Sequence, residues 1–275
     1  MFLQITTAWA QTATYSLSSA THDHWKVAPQ AVIGKDSIRL FDTNYSTKKW
    51  ISATVPGTVF NDYVKAGLEK DPNYGDNIYQ VDKNKYDRNF WYRTTFKTPE
   101  FKLGQKLWLN FQGVNRKADV YFNGAFLGKL EGLMDRGRFD ITGLVSQNKQ
   151  NVLALLVYLP QKPIPNYGTS AYISAGGWDW MPYVPGLLMG ITDHVYLSAS
   201  GTITMVDPWI RTKVPSLQKA LLQLQVGLES NAKEVVEAEL NGVIQPGNIA
   251  FSQKVSIKPH LNQIIKLDTV TVKKF

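Results

Sequence analysis

The chain has 275 residues, room for one or two domains, and 44% of them are hydrophobic, enough to bury a sizeable core. It has no cysteine, which excludes disulfide frameworks, thiol nucleophiles and Cys-ligated zinc. The net charge of +8 is scattered along the chain with no recognition helix, so it argues for a solvated surface that favours acidic glycans and against a nucleic-acid partner; no stretch reaches the ~18 apolar residues of a membrane span.

Residues 1–10 are mildly apolar and end in Ala8-Trp9-Ala10, a small-x-small pattern that reads as the remnant of a clipped signal peptide and predicts export to the periplasm or beyond. Residues 11–30 form a polar extension in which His22-Asp23-His24 is expected to be solvated rather than to hold a metal. Between 31 and 55 short alternating runs at Val32, Ser37 to Leu40 and Trp50 to Val55 predict strands. Pro56-Gly57 turns the chain, and Thr58 caps a helix carrying Val59, Phe60, Tyr63, Val64 and Leu68, with Gly67 near its stop. Residues 71–77 are a loop by every turn signal.

Then the period becomes two. Phe90 to Phe96 and Leu107 to Phe111 alternate, Val120 and Phe122 lead into an Asn123-Gly124 hairpin turn, and Phe126 restarts the partner strand. Val152 to Tyr158 is a nearly continuous apolar run, expected to be a central strand, and Ile191 to Leu197 gives one more. The expected core holds Trp91, Leu109, Phe111, Val120, Phe122, Leu153, Leu155 and Val157. Ser198 to Gly201 looks like a linker. Beyond it come the alternation Leu222 to Val226, a run from Val236 to Leu240 ending in a second turn signal, Asn241-Gly242, and then Val255 and Ile257. The expected fold is all-β: a jelly-roll sandwich over 31–200, then an immunoglobulin-like sandwich over 201–275. The latter falls short of the ~100 residues of a complete domain, so an edge strand is expected to be missing.

The stretch Gly176-Gly177-Trp178-Asp179-Trp180-Met181-Pro182 stands apart. Two indoles flank one carboxylate in a loop punctuated by Gly and Pro. An indole offers a flat apolar surface to the C–H face of a sugar, and a carboxylate accepts hydrogen bonds from two neighbouring hydroxyls. The same residues could instead plug the end of a sandwich.

Four ordered stretches carry a family resemblance: Val55-Pro56-Gly57-Thr58-Val59, Asp87-Arg88-Asn89-Phe90-Trp91-Tyr92-Arg93, Ala118-Asp119-Val120-Tyr121-Phe122-Asn123-Gly124 and Gly177-Trp178-Asp179-Trp180. Over residues 35 to 275 the chain resembles the N-terminal region of glycoside hydrolase family 2, closest to its β-mannosidase and exo-β-glucosaminidase branches. The resemblance implies a galactose-binding-like jelly roll, an immunoglobulin-like domain and then a catalytic barrel that this chain lacks. It also implies that Asp179, Trp178 and Trp180 reach the terminal-sugar subsite at the barrel mouth, with Asn77 as a second polar contact there. One departure stands out: where the family has Gly-Ile-Trp-Arg-Asp-Val, this chain has Gly190-Ile191-Thr192-Asp193-His194-Val195, so any sugar specificity carried by Trp and Arg is altered.

Glycoside hydrolysis needs two carboxylates straddling the bond, and the family's acid/base lies in an Asn-Glu pair. No Asn-Glu dipeptide occurs here, and Glu234, Glu237 and Glu239 read as a solvated strand face. There is no barrel-length βα repeat, G-x-S-x-G elbow or phosphate-cradling glycine loop, and His194 reads as structural. Catalytic residues, metal ligands and cofactors are expected to be none. The expected partners are a terminal β-linked sugar and the catalytic barrel. The alternatives are a free-standing carbohydrate-binding module and a structural buttress for that barrel.

Overall fold

The computed structural model describes residues 2–5, 13–102, 104–132, 134–159, 188–245 and 247–273. It divides into two compact units, one built from Thr14–Glu100 and Trp108–Leu197, the other mainly from Ser198–Phe275. The strands are β1 (Phe2–Ile5), β2 (Ala13–Ser16), β3 (Lys26–Pro29), β4 (Ile51–Ser52), β5 (Phe90–Lys97), β6 (Lys106–Phe111), β7 (Lys117–Phe122), β8 (Ala125–Glu131) and β9 (Gly137–Asp140). They continue with β10 (Gln150–Tyr158), β11 (Val195–Ser200), β12 (Ile203–Ser216), β13 (Lys219–Ser230), β14 (Val236–Ile244), β15 (Ile249–Ile257), β16 (Asn262–Lys266) and β17 (Val270–Lys273). The helices are α1 (Gln30–Ile33) and α2 (Val59–Lys65).

The first unit is an all-β sandwich. One sheet has the order β4-β3-β5-β10-β7-β8, the other β2-β11-β6-β9. Every residue of the expected core is buried, Phe122, Leu155, Leu109 and Phe111 fully, and Tyr92, outside that list, is fully buried too. The six-stranded sheet is covered on its second face too. There Trp91, Ala154 and Leu156 pack with Ala28, Ile33, Leu40 and Trp50, and Arg93 donates to the carbonyls of Leu40 (2.9 Å) and Asp42 (2.7 Å). Burial on two faces is why β10 reads as an unbroken apolar run rather than an alternation. The Asn123-Gly124 turn joins β7 to β8 as expected, with φ of 48° and 86°.

Several expectations need correction. The polar extension is part of the sandwich: it supplies β2 and β3, with Leu17 and Trp25 fully buried and the Trp25 indole N–H donating to the Leu17 carbonyl (2.6 Å). His22 is not solvated. It is buried, with Nε2 2.7 Å from the Thr94 hydroxyl, and burial lowers its pKa. The stretch from Val32 to Leu40 forms α1 and a 3-10 helix over Gly34–Phe41, not strands. The Ser198-Ala199-Ser200-Gly201 linker is instead the buried end of β11 and the residue after it.

In the second unit one sheet has the order β1-β14-β15; the other runs β12-β13-β16, with β17 also on β13. Leu222, Leu224, Val226 and Leu228 of β13 join Leu240, Val255 and Ile257 in its core. The second turn signal was misplaced. Asn241 and Gly242 lie inside β14, opposite Ser252 and Phe251, and the chain turns between Ile244 and Ile249. Gly242 is small because the Phe251 ring lies over it: a Cβ there would come within 2.1 Å of the ring tip. That neighbour is the far end of a movable side chain. Gly242→Ala is therefore expected to cost less than about 1 kcal/mol in chemical denaturation, and nothing once Phe251→Ala is combined with it.

Candidate functional site

Of the residues singled out for sugar binding, Trp178, Asp179 and Trp180 lie outside the described residues. What the structure gives is the frame on either side of the segment 160–187 that carries them. The segment follows β10, which sits between β5 and β7 with Val157 opposite Phe90 and Tyr158 opposite Lys117. The strands flanking β10 therefore begin where β10 ends. Asn89, just before β5, accepts the Leu159 N–H on Oδ1 at 3.0 Å.

The chain returns beside the start of β7. Asn115 donates through Nδ2 to the Leu188 carbonyl (2.9 Å), and its backbone pairs with Gly190 in both directions. On the other side, Gly57 N–H donates to the Ile191 carbonyl and Val59 N–H to that of Met189, both at 2.8 Å. Residues 188–191 are thus clamped between the turn before β7 and the turn before α2. A Cβ at Gly190 would lie 2.4 Å from the Gly57 carbonyl oxygen, 2.8 Å from Thr58 Cα and 3.0 Å from the Tyr92 hydroxyl. The first two are backbone atoms and cannot swing aside.

The same helix carries the Asn77 loop. Thr58 caps α2 by accepting the Asn61 N–H, and Phe60 and Tyr63 each place a ring 5.2 Å from the fully buried Tyr86. Lys85 pairs with Glu69 at 2.9 Å, closing the loop against the chain after α2. Asn77 is half-buried at the start of a 3-10 turn, Asn77–Gln80, and donates through Nδ2 to the Asp71 carbonyl at 2.9 Å. That bond uses part of its amide to hold its own loop.

Beneath the clamp lies a polar group that pattern reading missed. Asp62 is fully buried; Oδ1 accepts the Thr54 N–H at 2.8 Å, and Oδ2 has no hydrogen-bond partner among the described residues. Desolvation pushes its pKa to about 7, against the smaller opposing effects of Thr54 and Lys65. The Tyr92 hydroxyl is also buried, with no partner among the described residues, and burial together with the nearby Asp62 holds its pKa well above the usual phenol value. Asp62 is sealed from solvent, so it serves the fold and cannot meet a substrate. Its position in the first turn of an amphipathic helix gave no sign of this. Among the described residues no group of three or more His, Cys, Asp or Glu could hold a metal. His194 is exposed, with Nδ1 3.1 Å from the Ser18 hydroxyl.

Comparison with known proteins places this frame. Residues 39–193 match the glycosyl hydrolase 2 galactose-binding domain-like family, and the chain belongs to it. It is 33% identical over 214 residues to a mannosylglycoprotein endo-beta-mannosidase of Lilium longiflorum, covering 70% of this chain and 22% of that protein. It is 28% identical over 217 residues to an exo-beta-D-glucosaminidase of Amycolatopsis orientalis, covering 78% and 20%. Among solved structures, the exo-chitosanase of Amycolatopsis orientalis shares the fold with a TM-score of 0.79 at 24% identity, over 96% of this chain and 29% of that one. A Bacteroides uniformis beta-glucuronidase does so with a TM-score of 0.66 at 19% identity, over 95% and 28%. The chain spans about a fifth of the length of the curated relatives named here.

Two outcomes follow from the clamp. Gly190→Ala should destabilise the first unit by more than about 2 kcal/mol in urea, because backbone must move to admit the methyl group. The Asp62 carboxyl keeps its proton in the folded chain up to about pH 7 and loses it from about pH 4 in the unfolded chain. Stability owed to the neutral form is therefore complete below about pH 4 and lost as pH rises to 7. Asp62→Asn should remove that dependence: its stability relative to wild type should rise across this window, with a limit of about 4 kcal/mol, and stay level above it.

Proposed function

We propose that the chain is the non-catalytic N-terminal part of an exported exo-β-glycosidase that hydrolyses terminal β-linked sugars with retention. Its first unit, with β2 and β3 included, is the jelly roll, and its second unit is an immunoglobulin-like sandwich. In this proposal the segment 160–187 brings Asp179 to the hydroxyls of the terminal sugar, Trp178 and Trp180 wall the subsite, and Asn77 adds a polar contact. The reactive carboxylates come from a barrel elsewhere in the polypeptide.

The observation that carries the reading is the family match across residues 39–193, which spans the clamped segment. The clamp adds a physical reason: a loop held at both ends on a rigid sandwich can place a side chain to within the tolerance that transition-state contacts need. Contacts remote from the breaking bond matter because they strengthen as the ring distorts.

In the full polypeptide, Asp179→Ala is expected to lower kcat/KM for an aryl β-glycoside at least tenfold, about 1.4 kcal/mol of transition-state stabilisation. The 275-residue chain alone should hydrolyse nothing and bind the matching sugar only weakly. An unchanged rate would favour a buttress. Tight calorimetric binding by the isolated chain, abolished by Trp178→Ala, would favour a free-standing binding module.

A further inference from the structure

The second unit has a feature that the proposed function does not use. Strand β12 pairs with β13 so that Trp209 faces Gln225 and Arg211 faces Gln223; β13 pairs with β16 so that Gln225 also faces Lys266. Directly paired residues of antiparallel strands share a face, and so do residues two apart. Register alone therefore gathers five side chains on one face: an indole, a guanidinium, an ammonium and two amides. The intervening Leu222, Leu224 and Val226 point to the core and are buried. With Thr269 from the connection to β17, these side chains line a depression of about 270 Å³ that contains no acidic residue.

Within this depression the Arg211 guanidinium lies over the Trp209 ring, 4.9 Å from its centroid. Such stacking limits the rotamers of a long side chain and holds its N–H fork ready for a planar anion. Trp209 still keeps 51% of its surface open to solvent. The volume is just below the ~300–1,000 Å³ of pockets that enclose drug-sized ligands, so it suits a single ring rather than a chain.

We propose that this face binds an acidic sugar. Arg211 takes the carboxylate through both fork nitrogens, Lys266 adds a second positive charge, Gln223, Gln225 and Thr269 meet ring hydroxyls, and the open part of Trp209 packs on the C–H face. The two cations of this lining, which among the described residues includes no acidic side chain, favour an anion. The amides and the indole are what a simple anion would not need. The site belongs to the second unit alone and does not depend on the loop at Asp179.

The test uses the 275-residue chain and methyl β-D-glucuronide, followed by Trp fluorescence and calorimetry at low salt. Saturable binding is expected, weakened at least tenfold by Arg211→Gln and at least tenfold for methyl β-D-glucoside, while Lys266→Gln weakens it less and flattens its salt dependence. Asp179→Ala should leave it unchanged, which separates this site from the proposed subsite. A sugar sulfate ester distinguishes the source of the anion: weaker binding than the glucuronide supports the carboxylate fork, and much tighter binding overturns it. Equal binding of glucoside and glucuronide, no binding at millimolar ligand, or full affinity in Arg211→Gln would overturn the proposal. So would concentration-dependent self-association that Trp209→Ala abolishes, since it would make the face a protein contact.

Discussion

The close approach of residues 188–191 to Gly57, Thr58 and Asn115 is the constraint on which the rest of the candidate site depends. A loop can carry a recognition group only if its ends are fixed; otherwise ordering it costs ~1–2 kcal/mol per residue of backbone entropy. Here one end leaves the central strand of a six-stranded sheet and the other is stapled by paired backbone bonds to Asn115, Gly57 and Val59. The second staple works only because residue 190 lacks a side chain: the space a Cβ needs is filled by the carbonyl of Gly57. The return of the chain at residues 188–191 is thereby fixed.

The clamp rests on polar groups that are not fully satisfied. Asp62 Oδ2, the Tyr92 hydroxyl and Asn115 Oδ1 are all buried without partners among the described residues, on three stretches of chain that meet there. A buried, unpaired polar atom costs ~1–3 kcal/mol, so hydrophobic packing elsewhere must offset these. The six-stranded sheet provides it, because its second face is covered by Trp50, Trp91, Ile33 and Leu40. Asp62 and Asn115 each also make the bonds that fix the turn before α2 and the return of the chain at Leu188. The same side chains that cost stability therefore hold the geometry. Neutralising Asp62, which the fold itself promotes, is the least costly way to keep both.

Much of this fold was legible because two signals are local. Asn123-Gly124 between alternating runs needs no tertiary information, and β10 declares itself by length and apolar continuity. Asn241-Gly242 carries the same dipeptide and is not a turn. Its glycine instead lies under the Phe251 ring across the ladder, a contact that a scan along the chain cannot see. Likewise His22 reads as solvated from its polar neighbours, yet Thr94, 72 residues away, receives it in the interior. The clamp was legible only as motif positions. Asn89, Asn115 and Gly190 look like ordinary loop residues until strand order brings them to one end of the sandwich. Asp62 was invisible because its environment, not its spacing, gives it its character. For Trp178, Asp179 and Trp180 the composition remains the argument, and the frame adds where their segment begins and ends.

The departure at Thr192 and Asp193 now has a local explanation. Both N–H groups are directed at the Gly113 carbonyl, at 3.2 and 3.3 Å, and the Asp193 carboxylate accepts the His194 N–H at 2.7 Å. Asp193 thus serves the turn into β11, a task suited to a short acceptor and not to the long guanidinium of the family pattern. Thr192 is half-buried beside it, where an indole would need room. Thr192 and Asp193 therefore offer no long or aromatic side chain at these two positions. Side chains that serve a connecting turn can change in this way while the sandwich core stays the same, which is how one scaffold can carry different loops.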